Sequence, residues 1–240
     1  MTDVSDLTDG SPMSRRRALG VLGGLGLAAI AAGCADEGGS SAPARETSTT
    51  TAAGSTGDDV CVLTPELTEG PYYLDLDLVR RDIVDGRPGS PFDLRVKVVE
   101  ADACTPIENA AVDIWHCDAG GAYSGVSGDD GTFLRGIQMT DADGVAEFRT
   151  IYPGWYTGRA VHIHLKVNLG GSETFTGQLF FDDATTAGVY EAEPYADRGE
   201  PDTSNAADGI FGQSGGSTVV AVAREGAGYS GAVTLGVQRA

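Results

Sequence analysis

The sequence has 240 residues, enough for one substantial domain, and its 35 acidic residues outnumber its 16 basic ones. The formal net charge of −19 at pH 7 argues against a nucleic-acid partner, because phosphates would repel such a surface. The 35 glycines, with β-branched residues dispersed between them, favour turn-rich β structure over a helical bundle.

The first 34 residues predict an export signal. Arg15 and Arg16 precede an apolar run at 18–33 that is too short to span a bilayer comfortably, and together they resemble a twin-arginine signal. The run ends in Ala-Ala-Gly-Cys at Cys34, which resembles the processing site of a lipoprotein. We therefore expect a protein outside the cytoplasm, anchored to the outer face of the membrane by lipid on Cys34. The alternative is a cleaved signal with an accidental cysteine, and then a secreted protein.

The next segment, 35–58, is rich in Gly, Ser, Thr and Ala and shows no apolar periodicity. Such a composition is typical of a flexible linker. We expect the folded domain to occupy residues 59–240, without an internal repeat or a second domain.

Alternating apolar and polar residues predict a series of short strands in this domain. They fall at 92–98, 112–116, 145–150, 161–167 and 175–181, with two more near 217–223 and 231–238. A long polar excursion at 182–215 separates the last two from the rest, and we see no convincing amphipathic helix. The pattern predicts an all-β fold, an antiparallel β-sandwich with long loops.

Three cysteines follow Cys34, and cysteines of an exported protein can form disulfides in the oxidising environment outside the cytoplasm. The strands at 92–98 and 112–116 read as a hairpin with Cys104 in its turn and Cys117 at its far end. At about 3.3 Å per residue these two thiols lie too far apart to bond. We expect Cys61 to pair with one of them, with a preference for Cys104, and one thiol to remain free.

The strand at 161–167 contains two of the three histidines in the chain. Because a strand has a period of two residues, its apolar members face a core while His162 and His164 project together from the opposite face. Two imidazoles so placed can chelate a metal ion. The alternative is that they belong to an ordinary polar face of a strand.

The surrounding motifs decide between these readings. Trp115-His116 is followed by Gly121 and Tyr123; Pro-Gly-Trp-Tyr ends at Tyr156; Arg159 precedes the histidine pair; and Gln-Leu-Phe-Phe begins at Gln178. This order resembles the intradiol ring-cleavage dioxygenases, whose motifs are W-H-x-x-x-x-G-x-Y, P-G-x-Y, R-P-x-H-I-H and Q-L-Y-F. The resemblance runs from about Thr64 to Asp182.

The resemblance implies a prealbumin-like β-sandwich and a non-haem Fe(III) site. The implied ligands are two equatorial residues, Tyr123 and His162, and two axial ones, Tyr156 and His164. Arg159 and Gln178 would flank the bound ring, Tyr156 would act as a base, and Tyr72 or Tyr73 would line the substrate pocket. The implied reaction is intradiol cleavage of a catechol-type aromatic diol by O2 to a muconate-type diacid.

Some features depart from the family pattern. Ala160 stands where proline is common, and the short Tyr156–Arg159 connection predicts a more open pocket. Nothing matches the helical segment through which catechol dioxygenases dimerise, so the oligomeric state is left open. We expect His116 to pack rather than bind metal, and the same of Tyr152, Tyr190 and Tyr195.

Two other functions are compatible with parts of the sequence. A non-catalytic prealbumin-like binding module needs neither Tyr123 nor Tyr156 in register with the histidines. A copper or zinc site on the same pair of histidines is disfavoured, because those metals rarely use two phenolates.

Overall fold

The computed structural model describes residues 61–126 and 128–239 and contains eight strands. They are β1 (Pro91–Glu100), β2 (Ala111–Trp115), β3 (Arg135–Met139), β4 (Val145–Ile151), β5 (His162–Leu169), β6 (Ser172–Phe180), β7 (Ala221–Glu225) and β8 (Gly228–Val237). One sheet has the order β4-β1-β8-β7 and the other β3-β2-β5-β6. The predicted all-β sandwich is confirmed.

Apolar side chains from both sheets form one buried core. In β1, Leu94 and Val96 are fully buried, while Arg95 between them is exposed. In β5, Ile163 and Leu165 pack into the same core from the other sheet. The alternation predicted for 161–167 is therefore correct, but the opposite face of β5 is buried as well, including both histidines.

Two features of the strand pairing were predicted wrongly. Strands β1 and β8 pair in parallel, so the sheet that contains them is mixed rather than antiparallel. Strands β1 and β2 do not form a hairpin, because β1 pairs with β4 and β8 whereas β2 pairs with β3 and β5. Alternation reports which face of a strand is buried and does not reveal its neighbours, so consecutive strands on opposite sheets look like a hairpin.

The polar excursion at 182–215 contains short helices that the sequence analysis missed. Helix α1 (Asp183–Tyr190) begins at the N-cap Asp182, and α2 (Gly209–Ser214) begins at the N-cap Asp208. A one-turn 3-10 helix (Asn205–Ala207) precedes α2. Both α-helices are too short to show a clear apolar stripe, and their capping aspartates were read as loop residues.

The cysteines behave as the sequence analysis preferred. Cys61 and Cys104 form a disulfide, and Cys117 is a buried free thiol. The predicted signal at 1–34, with its anchor at Cys34, and the linker at 35–58 lie outside the described residues and stay predictions. No helix in the described ranges is long and apolar enough to cross a membrane.

His116 is part of the packed interior, as expected. Its Nδ1 lies 2.8 Å from the carbonyl of Cys117, which can only accept, so Nδ1 carries the hydrogen. Nε2 then accepts from the hydroxyl of Thr150 at 2.7 Å. Both ring nitrogens of neutral His116 are thus satisfied, and burial lowers its pKa to about 4.

This depressed pKa predicts a pH dependence of stability. The unfolded chain binds a proton at His116 near pH 6.5, whereas the folded chain does not until about pH 4. The stability that neutral His116 contributes is present above pH 6.5 and is lost as the pH falls toward 4. His116→Gln should therefore lose less unfolding free energy than the parent over this interval, by roughly 3 kcal/mol. Denaturant unfolding of both proteins at pH 7 and pH 4 measures the difference, and parallel pH curves would contradict it.

Candidate metal centre and substrate pocket

The two histidines of strand β5 lie side by side with their rings in contact. The Nε2 atoms of His162 and His164 lie 3.0 Å apart, and both rings are buried. His162 Nδ1 donates to the carbonyl of Ala160 at 2.7 Å, because a carbonyl can only accept, and its lone pair is therefore on Nε2. The two Nε2 atoms thus face each other at a distance that suits a chelating pair, and His162 carries a lone pair on its Nε2.

Tyr123 reaches this point from the loop after β2. Asp118 closes the loop by accepting hydrogen bonds from the backbone N–H groups of Gly120 and Ala122 at 3.0 and 2.9 Å. On the other side of Tyr123, Ser124 donates to the carbonyl of Phe133 at 2.6 Å. The loop is held on both sides of Tyr123, a residue that is only 7% exposed.

Tyr156 arrives from the Pro-Gly segment after β4. Gly154 packs so closely against the backbone of Asp118 and Ala119 that a Cβ could not be accommodated, so the two tyrosine-bearing segments touch. Tyr190 fixes the segment from behind by donating to the carbonyl of Pro153 at 2.8 Å. Like Tyr190, the buried rings of Tyr152 and Tyr195 serve packing, as expected.

The structure brings the four predicted ligands, Tyr123, Tyr156, His162 and His164, into one cluster. Ring centroids are 5.7 Å apart for the two tyrosines and 4.6 Å for the two histidines. The tyrosine–histidine distances are 5.6 Å between Tyr156 and His162 and 6.1 Å between Tyr123 and His164. Four polar side chains from three separate segments thus lie in one cluster, called the donor cluster below.

Burial keeps the four side chains of the cluster uncharged. Burial, followed by the charge of Arg159, lowers the pKa of His162 to about 3, and burial likewise holds the pKa of His164 well below its usual value. Burial raises the pKa of Tyr123 well above 10 and also raises that of Tyr156. In the protein alone the imidazoles are neutral and the phenols keep their protons.

Among the described residues, two buried polar atoms of these side chains have no hydrogen-bond partner: the hydroxyl oxygen of Tyr123, and Nδ1 of His164, which is not the ring nitrogen that faces His162. Buried polar atoms are normally paired, and exceptions often mark a missing ion. No group of three His, Cys, Asp or Glu side chains forms a metal site in the described part of the chain. A cation bound here would therefore depend on the phenol oxygens, which become strong ligands once a metal ionises them.

Arg159 faces the cluster with all three guanidinium nitrogens engaged. Nη1 donates to the hydroxyl oxygen of Tyr156 at 3.3 Å, and Nη2 donates to Oε1 of Gln178 at 2.6 Å. Gln178 is fully buried on β6, and its Nε2 donates to the carbonyl of Thr68 at 2.9 Å. The predicted Arg159–Gln178 pair is thus assembled beside the donors.

The two predicted pocket tyrosines have different positions. The Tyr72 ring lies 4.5 Å from that of Tyr123 and 6.0 Å from that of Tyr156, so it borders the donor cluster. Tyr73 packs instead on Trp115 at 4.9 Å, and the Trp115 ring stacks on His164 at 5.1 Å with the planes 5° apart. Tyr73 is therefore one layer further from the donors than Tyr72.

Three residues near the site were missed as contributors. Trp115 was quoted as part of a motif, but its stacking on His164 follows from the register of β2 against β5. Gly70, with φ of +77°, lets the backbone approach His164, and a Cβ there would lie 2.9 Å from its Cε1. Asp208 accepts from Arg159 Nε at 2.9 Å. Only Gly70 carried a local signal, in Glu-Gly-Pro, since glycine favours positive φ.

The chain is similar to known dioxygenases. The family model described as "Dioxygenase" matches residues 64–188. The chlorocatechol 1,2-dioxygenase of Cupriavidus pinatubonensis is 32% identical over 136 residues, which are 48% of this chain and 53% of that protein. Catechol 1,2-dioxygenase 2 of Acinetobacter lwoffii is 29% identical over 146 residues, covering 50% and 51%. The chain thus spans about half the length of these curated relatives.

Two solved structures are similar over most of their length. An intradiol ring-cleavage dioxygenase from Tetranychus urticae has a TM-score of 0.71 and 32% identity, covering 74% of this chain and 95% of that one. The dioxygenase domain of a dioxygenase–carbohydrate-binding fusion from Streptomyces sp. SirexAA-E has a TM-score of 0.59 and 33% identity, covering 74% and 99%. On the family match and these likenesses, the chain belongs to the intradiol ring-cleavage dioxygenase family.

Proposed function

We propose that this chain is a non-haem Fe(III) dioxygenase that cleaves a catechol-type aromatic diol by the intradiol route, using O2 and forming a muconate-type diacid. The observation that supports this most is the convergence of two phenols and two neutral imidazoles beside the Arg159–Gln178 pair. The family membership of the chain supports the same activity.

The donor set fits ferric iron better than the alternatives. Two phenolates from Tyr123 and Tyr156 would supply anionic oxygens, which suit a hard, highly charged ion, and neutral His162 and His164 would complete the set. Zinc and copper sites rarely use two phenolates. When bound, the ferric ion would hold the diol as a chelate and make its ring carbons reactive toward O2.

The two phenols have different surroundings, and we assign them different roles. Tyr123 is almost fully buried, and its loop is held on both sides, so it stays in place. Tyr156 is only partly buried, and Arg159 Nη1 donates to its oxygen. We assign Tyr156 the role of accepting a proton from a substrate hydroxyl as the diol binds.

Arg159 and Gln178 act on the ring. The hydrogen bonds of the guanidinium direct its charge toward the donor cluster. We assign Arg159 the stabilisation of negative charge that builds on the ring during oxygen attack. Gln178 holds the guanidinium in place, and Tyr72 provides an aromatic wall for the substrate.

The first prediction concerns the metal. The purified protein should contain one iron per chain and should be red to burgundy, because phenolate bound to Fe(III) absorbs visible light. Anaerobic addition of catechol should move the band. Tyr123→Phe and His162→Ala should each lose most of the iron. Tyr229→Phe removes the same hydroxyl group from a tyrosine in the sheet without the histidines and should keep the iron. Iron analysis and visible spectra measure this. A folded, colourless protein with stoichiometric zinc would contradict the assignment.

The second prediction concerns the product. With catechol and O2, and without a reductant, the enzyme should form cis,cis-muconate, with both oxygen atoms of 18O2 in the product by mass spectrometry. A yellow semialdehyde would indicate extradiol cleavage and contradict the mechanism. No turnover of any diol by an iron-loaded protein would favour the non-catalytic binding module.

The third prediction separates binding from chemistry. Arg159→Leu should keep iron, colour and the anaerobic catechol shift but lose about 100- to 1,000-fold in kcat, the usual effect of removing one charge-stabilising group. Arg95→Leu is the control. Arg95 is an exposed arginine in the sheet that does not contain the histidines, and it forms an ion pair with Glu147 of the same sheet. Normal turnover by Arg159→Leu would show that the assigned role is wrong.

A further inference from the structure

We propose that Asp208 is a positioning residue for the ring-cleavage reaction, holding the guanidinium of Arg159 in its working orientation. This inference rests on the proposed function and adds a residue that lies outside the motifs of the family resemblance. Asp208 is the N-cap of α2, 49 residues from Arg159 in the sequence, and its side chain is 2% exposed.

Both carboxylate oxygens of Asp208 are fully used. Oδ2 accepts from Arg159 Nε and from the backbone N–H of Ala160, each at 2.9 Å. Oδ1 accepts from the backbone N–H groups of Ile210 and Phe211 at 2.8 and 3.2 Å. One carboxylate therefore ties the start of α2 to Arg159 and Ala160, shortly before the histidine strand β5 begins.

The charge state of Asp208 matches this role. Burial by itself raises the pKa of the carboxyl, but hydrogen bonds from Ala160 and Arg159, together with the charge of Arg159, outweigh it and hold the pKa below its usual value. The buried carboxylate is thus ionised and paired with a cation that is itself only 15% exposed. Such a charge-assisted contact is stronger and more directional than a neutral one.

The geometry explains why this contact orients the arginine. A guanidinium is planar, so two hydrogen bonds from different nitrogens define the direction in which the third points. Nε is held by Asp208 and Nη2 by Gln178, which leaves Nη1 directed at the hydroxyl oxygen of Tyr156. Without Asp208, Gln178 alone would set the direction from which Nη1 reaches Tyr156, and the guanidinium could turn about the Gln178 contact.

Asp208 also caps α2, so the test must separate capping from positioning. Asp208→Ser keeps a good capping hydroxyl but is too short to reach the guanidinium. Asp182→Ser makes the same change at the N-cap of α1, where the carboxylate accepts from Thr185 N and makes no contact with Arg159. Asp182→Ser therefore measures the effect of changing a helix cap without changing any contact to Arg159.

In the iron-loaded enzyme, Asp208→Ser should keep the iron content, the visible band and, within about threefold, the anaerobic catechol affinity. Its kcat should fall about 10- to 100-fold, less than the effect expected for Arg159→Leu. In an Arg159→Leu background the same substitution should change kcat less than about twofold, because residues that act as a unit are not additive. Asp208→Asn, which keeps size and an acceptor, should lie between the parent and Asp208→Ser, and it replaces Asp208→Ser if that variant does not fold.

A second measurement is independent of turnover. In the full chain loaded with diamagnetic Ga(III), the Nε–H proton of Arg159 should exchange with water at least about tenfold faster in Asp208→Ser than in the parent or in Asp182→Ser, because it loses its buried acceptor. Turnover by Asp208→Ser equal to that of Asp182→Ser, multiplicative effects with Arg159→Leu, or unchanged exchange would each overturn the proposal. A parent enzyme that cleaves no diol would instead contradict the proposed function, while the exchange rates would still report whether Asp208 holds Arg159.

Discussion

Pairing of β5 with a strand on each side is the constraint from which the site is built. Directly opposed residues of paired strands share a face, so Trp115 of β2, His164 of β5 and Gln178 of β6 form one row across the sheet. The other face of β5 carries Ile163 and Leu165 into the core between the sheets. A slip of one residue would exchange the two faces, so the burial of the apolar side chains keeps the histidines in register.

The donor cluster is held together by its surroundings rather than by its own contacts. Burial lowers the pKa of His162 and raises that of Tyr123, and the Tyr123 hydroxyl has no hydrogen-bond partner among the residues that the structure describes. Such a group of polar atoms costs stability in a protein interior. Loops fixed on both sides, such as the one that carries Tyr123, keep the donors close, and a bound cation would relieve the cost.

The segment between β6 and β7 forms the outer support of the site. Asp202 accepts from the backbone N–H of Gly158 at 3.0 Å, and Trp155 donates its indole N–H to the carbonyl of Gly199 at 3.2 Å. Arg198 lies over the Trp155 ring at 3.9 Å. With Asp208 on Arg159, this segment contacts the connection from Tyr156 to the histidine strand along most of its length. Contacts with this segment therefore hold the short connection between Tyr156 and β5 in place.

The sequence by itself determined the faces of the strands, the order of the motifs and the preference for Cys61 with Cys104, because periodicity and residue type are local properties. It could bring Tyr123, Tyr156 and the two histidines together only through the family resemblance. The tertiary structure alone decided that β1 and β2 belong to different sheets, that β1 and β8 run parallel, and that Asp208 binds Arg159. Strand partners and a buried ion pair between distant residues are set by how the whole chain packs, and such packing leaves no periodic trace in either segment.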